Sequence, residues 1–347
     1  MPVHASIGGS RARIRLDNTG NGTAIRIGHA TLAHQKTASA AAEHPVSLTF
    51  GGRQDVTIAA GGELASDPPD FTVTADEVLL VSIYLPDPVT TVPYHSYTLT
   101  TLYSTPKTDH TDRSESIAAD TENSPDNLFR RTQDDKYGPR VLVSGVEVTP
   151  AAGSGGTVVA IGDSQTDGGH TDLDGNHRWL DVYGRALQAS SHPRGVANAG
   201  ISANQVLKDG SGASMLHRFR HDVLDVPGVK EVIFYGGIND ITLSDATATA
   251  LEKAVTTLAG QAHEAGLTFT AVTLPPFHGY QRFTSSRETT RRQFNAFLRT
   301  TQAVDRVVDF DQTSYDPATP RRAPRRRHRA TAGRAGPPVC RLLRPDR

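Results

Sequence analysis

From residue 157 onward the sequence alternates short apolar runs with longer helical patterns, and this alternation restricts the fold more than any other feature. "TVVAIG", "GVANAG", "KEVIFYGG", "LTFTAVTLPP" and "RVVDFD" read as five strands. "HRWLDVYGRALQAS", "DATATALEKAVTTLAGQAHEAG" and "SSRETTRRQFNAFLRTTQ" lie between them. The first of these places Trp179, Leu180, Tyr183 and Leu187 at helical spacing, and the second does the same with Leu251, Val255 and Leu258. A strand that is followed by a helix must return to the same edge before the next strand begins. The pattern therefore predicts a parallel sheet with helices on both faces. Chemistry in such sheets collects just beyond the carboxyl ends of the strands.

The preceding ~145 residues follow a different rule, period two, which reads as β-structure. "ARIRLDN" alternates, and "TAIRIGHATLA", "VSLTFGG", "QDVTIAAGG", "FTVTADEVLLVSIYLP" and "HSYTLTTLYS" follow between Gly, Asp and Pro clusters. Short strands with frequent turns predict an all-β sandwich or jelly roll. The polar "STPKTDHTDRSESIAADTENSPDN" reads as a long surface loop, "RVLVSGVEVTP" as one more strand and "AAGSGG" as a joint. The expected division is a β-module over 1–150, an α/β domain over 151–318 and an Arg/Pro-rich tail over 319–347.

Charge supports that last boundary. The chain carries 36 basic and 37 acidic residues, yet residues 321–347 hold ten arginines against the single acid Asp346. An acidic body is not a nucleic-acid binder, although the tail offers a polyanion a landing point. No stretch of eighteen apolar residues occurs, so no membrane span is expected, and "MPVHASIGGSRARIRL" has no apolar signal-peptide core. Export would require a start farther upstream. Cys340 is the only cysteine, which rules out an internal disulfide framework.

Three segments carry candidate chemistry, one after each of the first three strands. "TVVAIGDSQTDGG" ends its strand at Gly-Asp-Ser, with Ser164 where a helix N-terminus favours negative charge. "VANAGISANQVL" puts Gly200 where a backbone N–H can approach a ligand closely. "VIFYGGINDIT" puts the amide of Asn239 after the third strand. Acyl transfer needs a nucleophile and two or three donors aimed at a developing oxyanion, and these residue types supply both. Taken singly, each reads as an ordinary cap or turn residue.

"GDSQTDG", "NAGISANQVL" and "GGIND" resemble the first three sequence blocks of the SGNH (GDSL-type) hydrolases, over residues ~157 to ~311. The β-rich half resembles a module that precedes this domain in a subset of members, here clipped at its N-terminus. The resemblance implies a three-layer flavodoxin-like fold, no cofactor and no metal. It further implies ester hydrolysis through an acyl-enzyme, with Ser164 as nucleophile and Gly200 and Asn239 as oxyanion donors. Small esters, lipids and acetylated saccharides are the substrate classes it implies.

The same resemblance calls for an Asp-x-x-His block after the fifth strand, and none occurs there. "VVDFDQTSYDPATP" runs into "RRAPRRRHRATAGRAGPPVCRLLRPDR" instead. His328 has the right chain position but no acid to orient it. His278 falls at the site rim as a loop or substrate contact, and His170 and His177 read as surface residues. The catalytic His and its Asp are thus unassigned. Serine without a base is a poor nucleophile, so impaired esterase activity is expected. The abrupt charge reversal suggests a shifted reading frame, in which "CRLLRPDR" becomes Ala-Gly-Tyr-Phe-Ala-Leu-Thr. Loss of the closing helix would also leave apolar surface uncovered and lower solubility. The rival reading is a non-catalytic protein binding carbohydrate or another ligand, with Tyr94, Tyr97 and Tyr103 in the β-module as aromatic candidates.

Overall fold

The computed structural model describes residues 1–105, 108–116 and 139–314. The tail over 319–347, with His328 and Cys340, lies outside the described residues, as does most of the polar loop. The chain divides into two compact units: residues 1–156 with 168–196, and 157–167 with everything from 197 onward.

The first unit is built from antiparallel β sheets. One orders Pro2–His4, Val78–Tyr84, His29–Thr37 and Ala40–Ala41, with Val46–Ser47 also paired to His29–Thr37. The other orders Val143–Thr149, Gly9–Asp17 and Glu63–Ala65, with Asp70–Val73 also on Gly9–Asp17. Strand Gly9–Asp17 shows why the period-two reading works. Ala12, Ile14 and Leu16 are buried, while Arg13 and Arg15 point outward to Glu147 and Glu63 on the flanking strands. Leu32, Leu79 and Val81 of the first sheet join Ile14 and Leu16 of the second in one core.

"HSYTLTTLYS" departs from expectation. Among the described residues, a single bridge at Ser104 apart, the ladder is the two-residue Tyr94–His95, paired with Arg140–Val141. Beyond it the hydroxyls of Thr98 and Thr100 each bond the other's carbonyl, and Leu99 sits at φ 52°. These local side-chain bonds replace the ladder.

The segment 168–196 groups with this unit rather than with the α/β domain that the sequence assigns it to. Ser6 exchanges hydrogen bonds with both the N–H and the C=O of Val196, at 2.8 and 3.0 Å. Thr101 likewise donates twice to Asp174. Helix Trp179–Gln188 lies in this segment, where the helical spacing predicts it.

The second unit holds the predicted parallel five-stranded sheet. Its strands are β1 (Thr157–Gly162), β2 (Gly195–Gly200), β3 (Val229–Tyr235), β4 (Thr268–Val272) and β5 (Arg306–Val308). They lie in the order 2-1-3-4-5, and β1, β3, β4 and β5 pair in parallel register. This is a doubly wound, flavodoxin-like order, and the strand sequence reverses direction between β1 and β3. Val158 to Ile161 are fully buried, as a strand covered on both faces requires.

The helices of this unit are α1 (Ser164–Asp167), α2 (Met215–Phe219), α3 (Ile238–Ser244), α4 (Ala248–Glu264), α5 (Ser285–Thr300) and α6 (Phe310–Thr313). In α4, Leu251, Val255 and Leu258 are fully buried. The hydroxyl of Thr284 caps α5 by accepting the Arg287 N–H.

Candidate active site

The carboxyl ends of β1, β2 and β3 carry the three expected segments, and the reversal of strand order opens the sheet at that place. After β1 the chain turns at once into α1. Asp163 starts the turn: its carbonyl accepts the N–H groups of Thr166 and Asp167, and its Oδ1 accepts that of Gln165 at 3.0 Å. Ser164 follows as the first helical residue, half-buried. Among the described residues its hydroxyl and its N–H make no hydrogen bond.

Hydrogen bonds knit the three loops together. From α1, Asp167 Oδ2 accepts both the N–H and the hydroxyl of Ser202, at 2.9 and 2.6 Å, tying the first loop to the second. Asn198 Nδ2 donates to the Thr166 carbonyl at 2.9 Å. From the third loop, Asn239 Nδ2 donates to the Asn204 carbonyl at 3.0 Å. The neighbouring Asp240 carboxylate accepts the N–H groups of Val206 and Leu207. The Tyr235 hydroxyl, at the end of β3, donates to Gln165. Gly237 opens α3 at φ 118°, a conformation that costs a residue with a side chain.

Gly200 does not stand as expected. Its N–H donates to Asn198 Oδ1 at 2.9 Å instead of facing a ligand. Its missing side chain serves packing. A Cβ there would lie 2.7 Å from the Thr166 carbonyl carbon and closer still to the Asp167 nitrogen. The same loop carries a donor that sequence reasoning missed. Residues 201–204 form a turn closed by Asn204 N–H on the Ile201 carbonyl, and Ala203 sits in it at φ 61°. Ala203 is exposed, and among the described residues its N–H has no partner. Its neighbours on both sides are fixed, Ser202 by Asp167 and Asn204 by Asn239 and Arg218. Positive φ at a non-glycine residue is the mark of this position, and no residue-type pattern encodes it.

Beneath the loops lies a buried charge cluster. Arg218 donates to the Asn204 side chain, to the carbonyls of Ala199 and Gly162, and to Asp222. Asp163 is wholly buried, and among the described residues its Oδ2 has no hydrogen-bond partner. Burial, reinforced by the charges of Asp240 and Asp167, pushes its carboxyl up to about 7. Burial also raises Asp240 and carries the Tyr235 phenol well above its ordinary value, with the charge of Asp163 adding to the latter.

No histidine bonds Ser164 among the described residues. His278, after β4, packs edge-on against Phe283 at 4.7 Å, with a buried Nδ1 that has no partner among the described residues. His177 is exposed beside Asp172. The carboxylates that follow β5 are occupied. Asp309 accepts from Arg299 and Thr273, and Asp311 accepts from Arg291 and Arg299.

Comparison with known proteins gives the family. Residues 160–334 match the model of the GDSL-like Lipase/Acylhydrolase family. Among solved structures, an alpha/beta hydrolase enzyme from the metagenome of Lake Arreo, Spain, is 21% identical; the match covers 50% of this chain and 88% of that one, with a TM-score of 0.37. An acetyl xylan esterase from Geobacillus stearothermophilus is 20% identical over 46% of this chain and 81% of that one, TM-score 0.37. A psychrotrophic esterase from Pseudoalteromonas sp. is 16% identical over 45% and 77%, TM-score 0.35. The comparison with curated proteins found no match. Among the described residues no helix is long and apolar enough to cross a membrane. With the family model spanning half its length, this chain belongs to the GDSL-like lipase/acylhydrolase (SGNH) family of esterase-type hydrolases.

Proposed function

We propose that the chain is a serine ester hydrolase acting through an acyl-enzyme on Ser164, with its turnover limited by the lack of a general base. The observation that supports this most directly is the Ser164 hydroxyl, unbonded among the described residues, at a point where three loop tips are tied to one another. In this reading Ser164 Oγ attacks the ester carbonyl carbon, and negative charge moves to the carbonyl oxygen. The Ser164 N–H, the second N–H of the Asn239 amide and the Ala203 N–H receive that charge, Ala203 standing in the place expected of Gly200. Collapse expels the alcohol and leaves an acyl ester on Ser164, which water then cleaves. No Asp-x-x-His block follows the fifth strand to take the proton of Ser164, so in this reading it reaches the departing alkoxide through solvent. Donors and binding alone retain ~10³–10⁴-fold catalysis over water, far short of a complete triad.

An external base tests the reading. Free imidazole should raise hydrolysis of p-nitrophenyl acetate above the sum of the rates given by imidazole alone and by the chain alone. That increment should vanish in Ser164→Ala and fall by about 10²–10³ in Asn239→Ala. An increment that survives Ser164→Ala would overturn the assignment.

A further inference from the structure

The β-module contains a second serine, and this one has a histidine. His29 begins strand His29–Thr37, and Ser47 ends the short strand paired with it, opposite Thr31. His29 and Thr31 are two residues apart on one strand face, so the Ser47 side chain reaches His29 diagonally across the pair. His29 Nε2 lies 3.0 Å from Ser47 Oγ. His29 Nδ1 lies 3.2 Å from Asp109 Oδ2 and 2.7 Å from the Thr111 hydroxyl. Ser47 is exposed, while His29 is mostly buried.

The hydrogen-bond network assigns the tautomer. Thr111 donates its hydroxyl proton to Asp109 Oδ1 at 2.6 Å, so toward His29 it can only accept. Asp109 is an acceptor as well. The Thr111 amide and hydroxyl, with His29, outweigh its burial and hold its carboxyl below the ordinary range. Both groups facing Nδ1 are therefore acceptors, so Nδ1 carries the hydrogen. Nε2 is left as a lone pair aimed at the Ser47 hydroxyl. Asp109 is itself held by the Thr111 N–H at 2.9 Å, and the Thr111 carbonyl is anchored by Thr31 Oγ1 at 2.7 Å. Nucleophile, base and orienting acid thus stand at the distances that activation of a serine hydroxyl requires.

We propose that Ser47, His29 and Asp109 form a second ester-cleaving site, on the β-module and independent of Ser164, that acts on small acyl esters such as acetates. Ser47 Oγ attacks the carbonyl carbon and its proton passes to His29 Nε2. The tetrahedral adduct collapses, the alkoxide leaves with that proton as the alcohol, and an acyl ester remains on Ser47. Water then attacks the ester, giving its proton to His29 Nε2, and the returning proton restores Ser47 as the carboxylic acid departs. The exposure of Ser47 on a short strand gives a long acyl chain nothing to enclose it, which sets the substrate class. Asp109 and Thr111 are positioning residues, since they act through His29.

The test uses the full chain carrying Ser164→Ala, exposed to an alkyl fluorophosphonate and mapped by peptide mass spectrometry. An adduct should appear on the peptide that contains Ser47. A further His29→Gln substitution should slow its formation by about 100-fold or more, the loss expected for a general base. Asp109→Asn should slow it at least about tenfold, because an amide can donate to Nδ1 and favour the wrong tautomer. Hydrolysis of p-nitrophenyl acetate by Ser164→Ala should disappear on adding Ser47→Ala, an exposed substitution that leaves the far-UV circular dichroism unchanged. Absence of the Ser47 adduct, or an equal rate of labelling in His29→Gln, would overturn the proposal and reduce the three side chains to a surface hydrogen-bond network.

Discussion

Asp163 precedes the proposed nucleophile, yet its charge opposes the fold. It is fully buried with one carboxylate oxygen unpartnered, and its carboxyl is raised from 3.8 to about 7. A carboxyl that titrates higher in the folded state holds its proton more tightly there than in the unfolded chain. Stability therefore falls as pH rises. The penalty is absent below about pH 4, grows through the interval to about 7 and is complete above it. A displacement of about three pH units corresponds to roughly 4 kcal/mol. Asp163→Asn removes this term while its side-chain carbonyl still accepts the Gln165 N–H. The new NH₂ group occupies the place of Oδ2, where no partner lies among the described residues, at a pH-independent cost of about 1–3 kcal/mol.

The variant should accordingly be the less stable form at pH 4 and the more stable one at pH 8, with the curves crossing between about pH 4.5 and 6. Urea unfolding followed by circular dichroism across pH 4–8 measures the difference directly. A gap between native and variant that stays constant within about 1 kcal/mol over this range would refute the reasoning, since burial of the charge would then carry no cost.

Two further substitutions probe the scaffold beneath the loops. Gly200→Ala forces a Cβ into the backbone of α1, which cannot rotate aside, and should lower stability by about 3 kcal/mol as read from the thermal midpoint. Arg218→Met keeps the volume but leaves Asp222 with His221 alone and the Asn204 side-chain oxygen unbonded, so a loss of about 3 kcal/mol is expected in urea unfolding; a neutral outcome would show that the buried guanidinium is dispensable.

How much of this was legible depends on whether a feature is set locally. The strands of the α/β sheet were legible because β1 and β3 are apolar runs between glycine-bearing loops, a pattern that only a covered strand satisfies. Helix α4 was equally clear, with Leu251, Val255 and Leu258 on one face and Gly266 beyond its end. Two features depend on tertiary partners instead. "HSYTLTTLYS" has the alternation of a strand, but threonine hydroxyls at 98 and 100 capture the backbone and leave a two-residue ladder. Segment 168–196 contains a regular helix, yet its grouping is decided by Ser6 and Asp174, far apart in sequence and invisible to periodicity.

The candidate site divides the same way. The positions of Ser164 and Asn239 after their strands are legible because the end of a strand fixes where its loop begins. The donor proposed in the second loop is not, because glycine has two uses that look alike in sequence. At 200 it permits the α1 backbone to approach, and the N–H that would have faced a ligand is taken by Asn198. At 203, where the turn itself demands positive φ, the residue is alanine, so the usual marker of an exposed N–H is missing. Close packing and ligand approach both select glycine, whereas only coordinates show which N–H is left over. The Ser47–His29–Asp109 contact is harder still to read. Its members lie 18 and 80 residues from His29, on segments joined by strand register and by the hydroxyls of Thr111 and Thr31. A constellation of that kind has no sequence period, and folding alone brings it together.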